Sequence, residues 1–363
     1  MPRVSDLVAA MEAIAPSRLA ASWDNVGLLV GDASASLSHV MLCIDGTKPV
    51  LAEARAAGCD ALVTYHPILF EAQKRFLAGS PAYELARAGI AVYSPHTALD
   101  AAPGGTNDVL ADALAMTDRA PLRSAESAPE LKLVVFVPAE HVAAVSDAVF
   151  AAGAGRIGRY ASCSFRSAGT GTFFGEEGAA PVVGQAGRLE EVAELRLEMR
   201  VSASRVAAVV RALRQSHPYE EPAFDLVPLA EPPGAGLGFG RIGAVVPARA
   251  SAHLERVKAA LGIERVLVAG DLGKEVRRAG VAAGSGGDLV GDAARQGADL
   301  LLTGELRHHD ALAAVRAGLV VFSVLHSVSE RSALVGLERR LQQVLPDVRV
   351  SRSHADRDPF TIV

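Results

Sequence analysis

The strongest constraint on this chain's fold is a repeated juxtaposition. Short, fully apolar runs end abruptly in ligand-type polar residues, and a helix-type pattern follows each. The stretch from Ala298 to Leu334 shows it twice, with apolar runs Leu300–Thr303 and Leu319–Leu325 and three of the chain's ten histidines, His308, His309 and His326. Earlier in the chain Val40–Ile44 breaks at Asp45-Gly46-Thr47, Ala61–Thr64 ends in Tyr65-His66-Pro67, and Ile90–Tyr93 ends in Ser94-Pro95-His96 followed by Asp100. Strands alternating with helices predict an α/β fold with a mainly parallel sheet. In such a sheet the strand ends converge on one edge, where sites are built.

With 363 residues, half of them hydrophobic, the chain is long enough for two or three domains with large cores. A formal net charge of −5 and the lack of a basic block argue against nucleic acid or an anionic membrane as partner. The opening segment carries Asp6 and Glu12 inside its apolar pattern, which suits an amphipathic helix over Val4–Ile14 and not a secretion signal. No apolar run approaches the roughly 20 residues of a membrane span. The three scattered cysteines, Cys43, Cys59 and Cys163, fit reduced, mostly buried thiols in a cytoplasmic protein.

The alternation is interrupted once. A polar stretch, RSAESAPE, precedes a β-α-β-β-α-β order, and EPPGAGLGFG closes it. In that segment the glycine-rich part yields short β-type pieces, Ser162–Phe165 and Thr170–Phe174. The expected organisation is a first α/β segment at 1–128, a ferredoxin-like α+β insert at 129–232, and a second α/β segment at 233–363.

The polar groups at the strand ends carry the candidate chemistry. Imidazoles and carboxylates together suit zinc, iron, manganese or a similar divalent ion. His66, His96 with Asp100, Glu305, and His326 with Glu330 recur on both sides of the insert, although a lone histidine at a strand end is more often simply hydrogen-bonded. The spacing of His326 and Glu330 suits chelation from one helical face, yet Ser327-Val328-Ser329-Glu330 equally matches a capping box. His308 and His309 are neighbours, so on a helix they point about 100° apart and do not chelate one ion together. One is expected exposed and one in a supporting role. Trp23, before Asp24-Asn25, reads as a core anchor beside a turn. Gly286 and Gly287 sit in a glycine-rich loop whose free N–H groups would suit a phosphate, although tight-turn chemistry alone explains them.

SWDNVGLLVG, VTYHPILF, HTALDAAPGGTND, GSGGDLV, TGELRHHDAL and HSVSERSAL occur in this order. Together they resemble the Nif-three-like dinuclear-metal proteins, the GTP cyclohydrolase 1 type 2 homologues. GAGRIGRYASCSF, GTGTFF and HPYEEPAFDL resemble the PII-like module inserted in the longer members. The resemblance implies a toroidal homohexamer and a metal-dependent hydrolase of a nucleotide or related heterocycle. It implies that His66 and Asp100 hold one ion, His326 the other, and that Glu330 bridges both and orients the attacking water as the catalytic carboxylate. Asp24, Asn25, His96, Glu305, His308, His309, Gly286 and Gly287 would support the site or the substrate. The family usually has two consecutive histidines before the proline, and here the first is Tyr65. That leaves Tyr65 as a weak or lost ligand and the expected count at one or two ions per chain. The alternative is a non-catalytic metal-binding regulator or scaffold ring whose insert senses a small effector.

Overall fold

The computed structural model describes residues 1–124, 130–158, 160–176, 178–179, 181–229 and 237–361. The chain divides into two compact units, Met1–Glu126 together with Gly234–Val363, and Ser127–Pro233. Most of each stretch expected as a linker, RSAESAPE and EPPGAGLGFG, lies outside the described residues. Among the described residues no helix is long and apolar enough to cross a membrane.

The first unit holds two mixed sheets. One is ordered Gly27–Val30, Ala91–Ser94, Ala61–Thr64, His39–Cys43, Arg349–Arg352. Its pairs are parallel except at the Gly27–Val30 edge. The three inner strands are buried along their whole length, which is why they read as unbroken apolar runs. Side chains alternate between two cores. Met41, Cys43, Leu62 and Val92 pack with Val50, Leu51 and Leu85 of the helices Lys48–Ala56 and Pro81–Ala88. Val40, Leu42 and Val63 pack on the other face with Leu7 and Met11 of Val4–Ile14 and Leu337 and Leu341 of Ala333–Val344.

The second sheet is ordered Leu267–Ala269, Val320–Ser323, Leu300–Glu305, Glu275–Ser285, Arg241–Arg249, Thr117–Ala120. Only the pairs joining Val320–Ser323, Leu300–Glu305 and Glu275–Ser285 are parallel. The expected mainly parallel sheet is thus replaced by two mixed ones. Alternation of strand and helix does not by itself fix strand direction: Arg241–Arg249 and Glu275–Ser285 flank the helix Ala250–Leu261 yet run antiparallel. Buried Arg241 ties these elements together. Its guanidinium meets Asp108 Oδ1 at 2.9 Å and donates to the carbonyls of Gly240 at 2.7 Å and Ala102 at 3.1 Å. Asn107 is buried beside it, donating to the Asp100 carbonyl at 3.0 Å and accepting from the Ala283 N–H at 2.9 Å.

The second unit follows the expected β-α-β-β-α-β order. Its antiparallel sheet runs Phe224–Pro228, Glu130–Pro138, Leu189–Ser202, Phe165–Phe174. Leu133, Val135, Leu197 and Met199 pack under Val145 and Val149 of Val142–Ala151 and Val209 and Leu213 of Val206–Ser216. The glycine-rich stretch is not two short pieces. Residues Phe165–Phe174 form one continuous strand, because pairing with Leu189–Ser202 supplies the order that its glycines lack.

Candidate metal centre

The site begins where two parallel strands stop. Beyond Ala61–Thr64 the backbone stays tied to its neighbour, with Tyr65 N–H donating to Cys43 O at 2.8 Å and His66 N–H to Ile44 O at 3.0 Å. This places His66 beside Asp45, whose Oδ1 is 2.9 Å from His66 Nδ1. On the other sheet Val324 N–H donates to Thr303 O at 3.0 Å, and Leu325 then adopts φ 78°, a left-handed conformation that L side chains rarely take. That turn makes His326 the first residue of the helix His326–Arg331. His326 Nδ1 lies 3.1 Å from Glu305 Oε1, and its Nε2 lies 3.1 Å from Glu330 Oε1, one turn along the helix. The capping-box alternative is thereby overturned. Ser327 lies inside the helix, its hydroxyl donates to Asp358 at 2.7 Å, and the Glu330 carboxylate faces histidines.

The two imidazoles meet across Glu330. His66 Nε2 lies 3.4 Å from Glu330 Oε2, an oxygen that is buried without a hydrogen-bond partner. Ligand atoms of His66, His326 and Glu330 all lie within 4.8 Å of one another, a cluster that could hold a metal ion. Each imidazole turns Nε2 inward while a carboxylate holds Nδ1, the arrangement that fixes tautomer and orientation in metal-ligating histidines.

Charge supports the same reading. Burial works against a protonated His66, but the hydrogen bond with Asp45 and the nearby Glu330 carboxylate outweigh it and raise its pKa to about 10. The Glu330 hydrogen bond, opposed by burial and aided by Glu305, raises that of His326 to about 9. Burial alone would lift the Glu330 carboxyl, and the two histidines hold it below its ordinary value instead. Two imidazoles and a buried carboxylate are the donor types a divalent cation takes, and its binding would displace protons from the histidines. The donor set therefore fits a divalent metal.

Asp100 does not join the cluster, so the pairing of Asp100 with His66 on one ion is not what the geometry shows. The Tyr65 hydroxyl donates to Asp100 Oδ1 and lies 3.0 Å from Thr106 Oγ1. Burial raises the Asp100 carboxyl to about 6, with the Tyr65 hydrogen bond opposing. Burial, reinforced by Asp100 and Glu330, pushes the Tyr65 phenol well above its ordinary value.

The remaining candidates fall around this core. Asp24 holds His96, with Oδ1 2.8 Å from Nδ1, and accepts from Thr97 N–H at 3.1 Å. His96, at φ 26°, stacks edge-on to His66. The Asn25 side chain donates to the Leu69 carbonyl. Trp23 is no core anchor: it is 63% exposed, tilted against Phe70 and edge-on to His96. His308 and His309 touch only at their ring edges, both are exposed, and neither belongs to the donor cluster. Side chains at Gly286 and Gly287 would run into Thr303 and Asp310, so close packing accounts for both glycines without a phosphate.

Three participants escaped the sequence reading. Asp45 was legible only as a strand breaker, and its role depends on the parallel register that sets Cys43 beside Thr64. Thr106 was legible only as part of the glycine-rich loop that follows Asp100. Gly284 stands at φ 63°, and a Cβ there would lie 2.7 Å from Glu330 Oε1 and 3.3 Å from His326 Nε2. No local signal separates it from its neighbouring glycines.

An α/β unit that brings two histidines and a buried carboxylate together at converging strand ends defines a candidate metal-binding protein. The chain belongs to the Duf34/NIF3 (NGG1p interacting factor 3) family, whose model matches residues 2–359. It is 36% identical over 357 residues to the GTP cyclohydrolase 1 type 2 homolog of Halalkalibacterium halodurans, covering 96% of this chain and 95% of that one. It is 39% identical over 337 residues to the homolog of Mycobacterium tuberculosis, covering 90% and 88%. Among solved structures it resembles a Bacillus cereus protein related to NIF3, with TM-score 0.68, 33% identity and coverage of 100% and 99%. It also resembles Staphylococcus aureus protein SA1388, with TM-score 0.77, 26% identity and coverage of 100% and 99%.

Proposed function

We propose that this chain is a divalent-metal-dependent hydrolase acting on a nucleotide or related heterocycle. The observation that carries the reading is the inward convergence of His66 Nε2, His326 Nε2 and the buried Glu330 carboxylate. His66, His326 and Glu330 would hold the ion. A bound divalent ion supplies hydroxide near neutral pH by lowering the pKa of its water. Asp45 and Glu305 aim the two imidazoles, and Glu330 would orient the attacking water. Asp24 fixes the orientation of His96 at the margin of the cluster, beside exposed Trp23. The name carried by the relatives, GTP cyclohydrolase 1 type 2 homolog, sets the first substrate to try. Metal-replete protein is expected to release formate from GTP faster than its Glu330→Gln variant, and equal rates would remove the cyclohydrolase reading. We place this activity in a cytoplasmic homohexamer acting on small molecules and not on nucleic acid or membrane, with sedimentation analysis as the check on assembly.

A second reading has its own support. The Ser127–Pro233 unit, which we take as a PII-like insert, contains a cavity of about 860 Å³ lined by Phe136, Gly171, Phe173, Val182, Arg196 and Tyr219. A small effector bound there would make the chain a metal-containing regulator or scaffold. Bound metal with no turnover across a nucleotide panel, together with saturable binding of a panel member that Tyr219→Ala abolishes, favours this reading.

A further inference from the structure

The two-ion donor set implied by the sequence resemblance does not assemble in this chain. Three groups converge, and the fourth, Asp100, is turned to other partners. We propose that the centre holds a single divalent ion on His66, His326 and Glu330, and that Tyr65, Asp100 and Thr106 form a hydrogen-bonded plug where a second ion would need its ligands. The proposal rests on the metal-centre reading above and narrows it to one ion.

The plug is built and not incidental. Tyr65 is 1% exposed and is among the largest fully buried side chains of the described residues. Its backbone is pinned on both sides, by its N–H to Cys43 O at 2.8 Å and by Ser94 Oγ donating to its carbonyl at 2.9 Å. Its ring is walled edge-on by His66 and His96, with centroids 5.4 and 5.9 Å away. The phenol therefore cannot swing aside without opening the core. Its hydroxyl donates a hydrogen bond to Asp100 Oδ1 and meets Thr106 Oγ1 at 3.0 Å. A carboxylate that already receives a hydrogen bond from a fixed neutral donor does not require a cation. An ion at that position would have to break the Tyr65–Asp100 bond, and it would then face an O–H group where the neighbouring position, His66, presents an imidazole. Structural zinc takes four donors and catalytic zinc at least three, and His66, His326 and Glu330 already account for the donors that converge.

Metal content per folded chain tests this without reference to activity. Purified protein is loaded with excess zinc, desalted and assayed for zinc and protein. Wild type is expected to retain one zinc per chain. Tyr65→His, checked for an unchanged circular dichroism spectrum, is expected to retain two, because it restores an imidazole and frees Asp100. Asp100→Asn is expected to retain one zinc with affinity changed by less than about threefold, against the roughly tenfold or more that loss of even an outer-shell partner costs. Two zinc ions in wild type would overturn the single-ion proposal while leaving the metal centre standing. None in wild type would overturn both. One zinc in a folded Tyr65→His variant, or a tenfold loss in Asp100→Asn, would overturn the plug. The wild-type count stands even if a variant fails to fold.

Discussion

The two histidines of the centre are aimed by the same device and held by opposite means. His66 and His326 each rest Nδ1 on a carboxylate, Asp45 and Glu305, and each turns Nε2 toward Glu330. On the His66 side a hydrogen-bonded cluster fills the space: the Tyr65 hydroxyl bonds to both Asp100 and Thr106. On the His326 side the positioning is done by backbone. Leu325 sits in a left-handed turn, Gly284 leaves room that a single methyl would fill, and the aiming carboxylate Glu305 is 54% exposed. One half is fixed by a filled core, the other by strained and crowded chain. Glu330 is the only donor both halves share, and so the comparison fails first if it is removed.

Glu330→Gln should have the largest effect. It keeps the shape but removes the charge that both imidazoles face, and zinc affinity is expected to fall by more than about a hundredfold, beyond what outer-shell losses cause. Competition with a chromophoric chelator measures this, and a loss below tenfold would show that the two halves bind without their shared member. Next comes pH. His66 and His326 are raised to about 10 and 9, so metal uptake near neutrality must expel protons from both. Zinc affinity should therefore rise with pH, approaching a hundredfold per unit where two protons are displaced, or about tenfold if only one is. In the metal-free protein the sign is reversed. A histidine whose pKa is raised on folding stabilises most below its unfolded value near 6.5 and loses that contribution as pH climbs through 9 to 10. The melting temperature in chelator should fall over pH 7–10 while that of the zinc-loaded form does not, and parallel curves would deny that the protons and the ion compete.

The aiming carboxylates separate the halves. Asp45→Asn is expected to weaken zinc binding by about 10–100-fold, the range for outer-shell partners. Glu305→Gln should lie at the low end of that range, because an exposed carboxylate in high dielectric holds its histidine less firmly. Equal losses would mean that the asymmetry of burial has no energetic counterpart. Gly284→Ala tests the backbone half. A methyl in the left-handed region costs roughly 1–2 kcal/mol and here also presses on Glu330. Denaturant unfolding should show about that loss, with a zinc defect alongside, and a stability loss with normal zinc binding would separate the turn from the centre.

How much of this was legible in the chain follows the range of the interactions. Val4–Ile14 and Ala61–Thr64 match their expected bounds because burial along one stripe or along a whole strand is written in consecutive residues. His66, His326 and Glu330 were legible as residue types at strand ends. Their convergence followed only from the family resemblance and not from spacing, because it needs two sheets placed with their parallel strand ends together. The capping box at Glu330 is ruled out by Leu325, whose positive φ starts the helix at His326 and which no feature of a leucine announces. Arg349–Arg352 went unseen for a related reason. Two arginines frame a short pattern that becomes a strand only through pairing with His39–Cys43, more than 300 residues earlier in the chain. Trp23 was expected inside because tryptophan usually is, but its segment leads to an edge strand, where a large ring can lie at the rim of the site.

The smallest expected effect concerns the most conspicuous pair in the sequence. His308 and His309 open the helix His308–Arg316, both exposed, with ring centroids 5.4 Å apart and no part in the donor cluster. Adjacent helical side chains diverge by about 100°, so the pair lacks the geometry to grip an ion by itself. Exposed substitutions away from special contacts usually stay within about 0.5 kcal/mol. The double variant His308→Ala with His309→Ala should therefore leave both unfolding midpoint and zinc content of the isolated chain unchanged. A fall in zinc content would place a donor outside the His66–Glu330–His326 core and would break the two-sided symmetry on which the comparison rests. A loss of substrate turnover at constant zinc content would instead give this pair a role toward the ligand and confine metal holding to the three convergent groups.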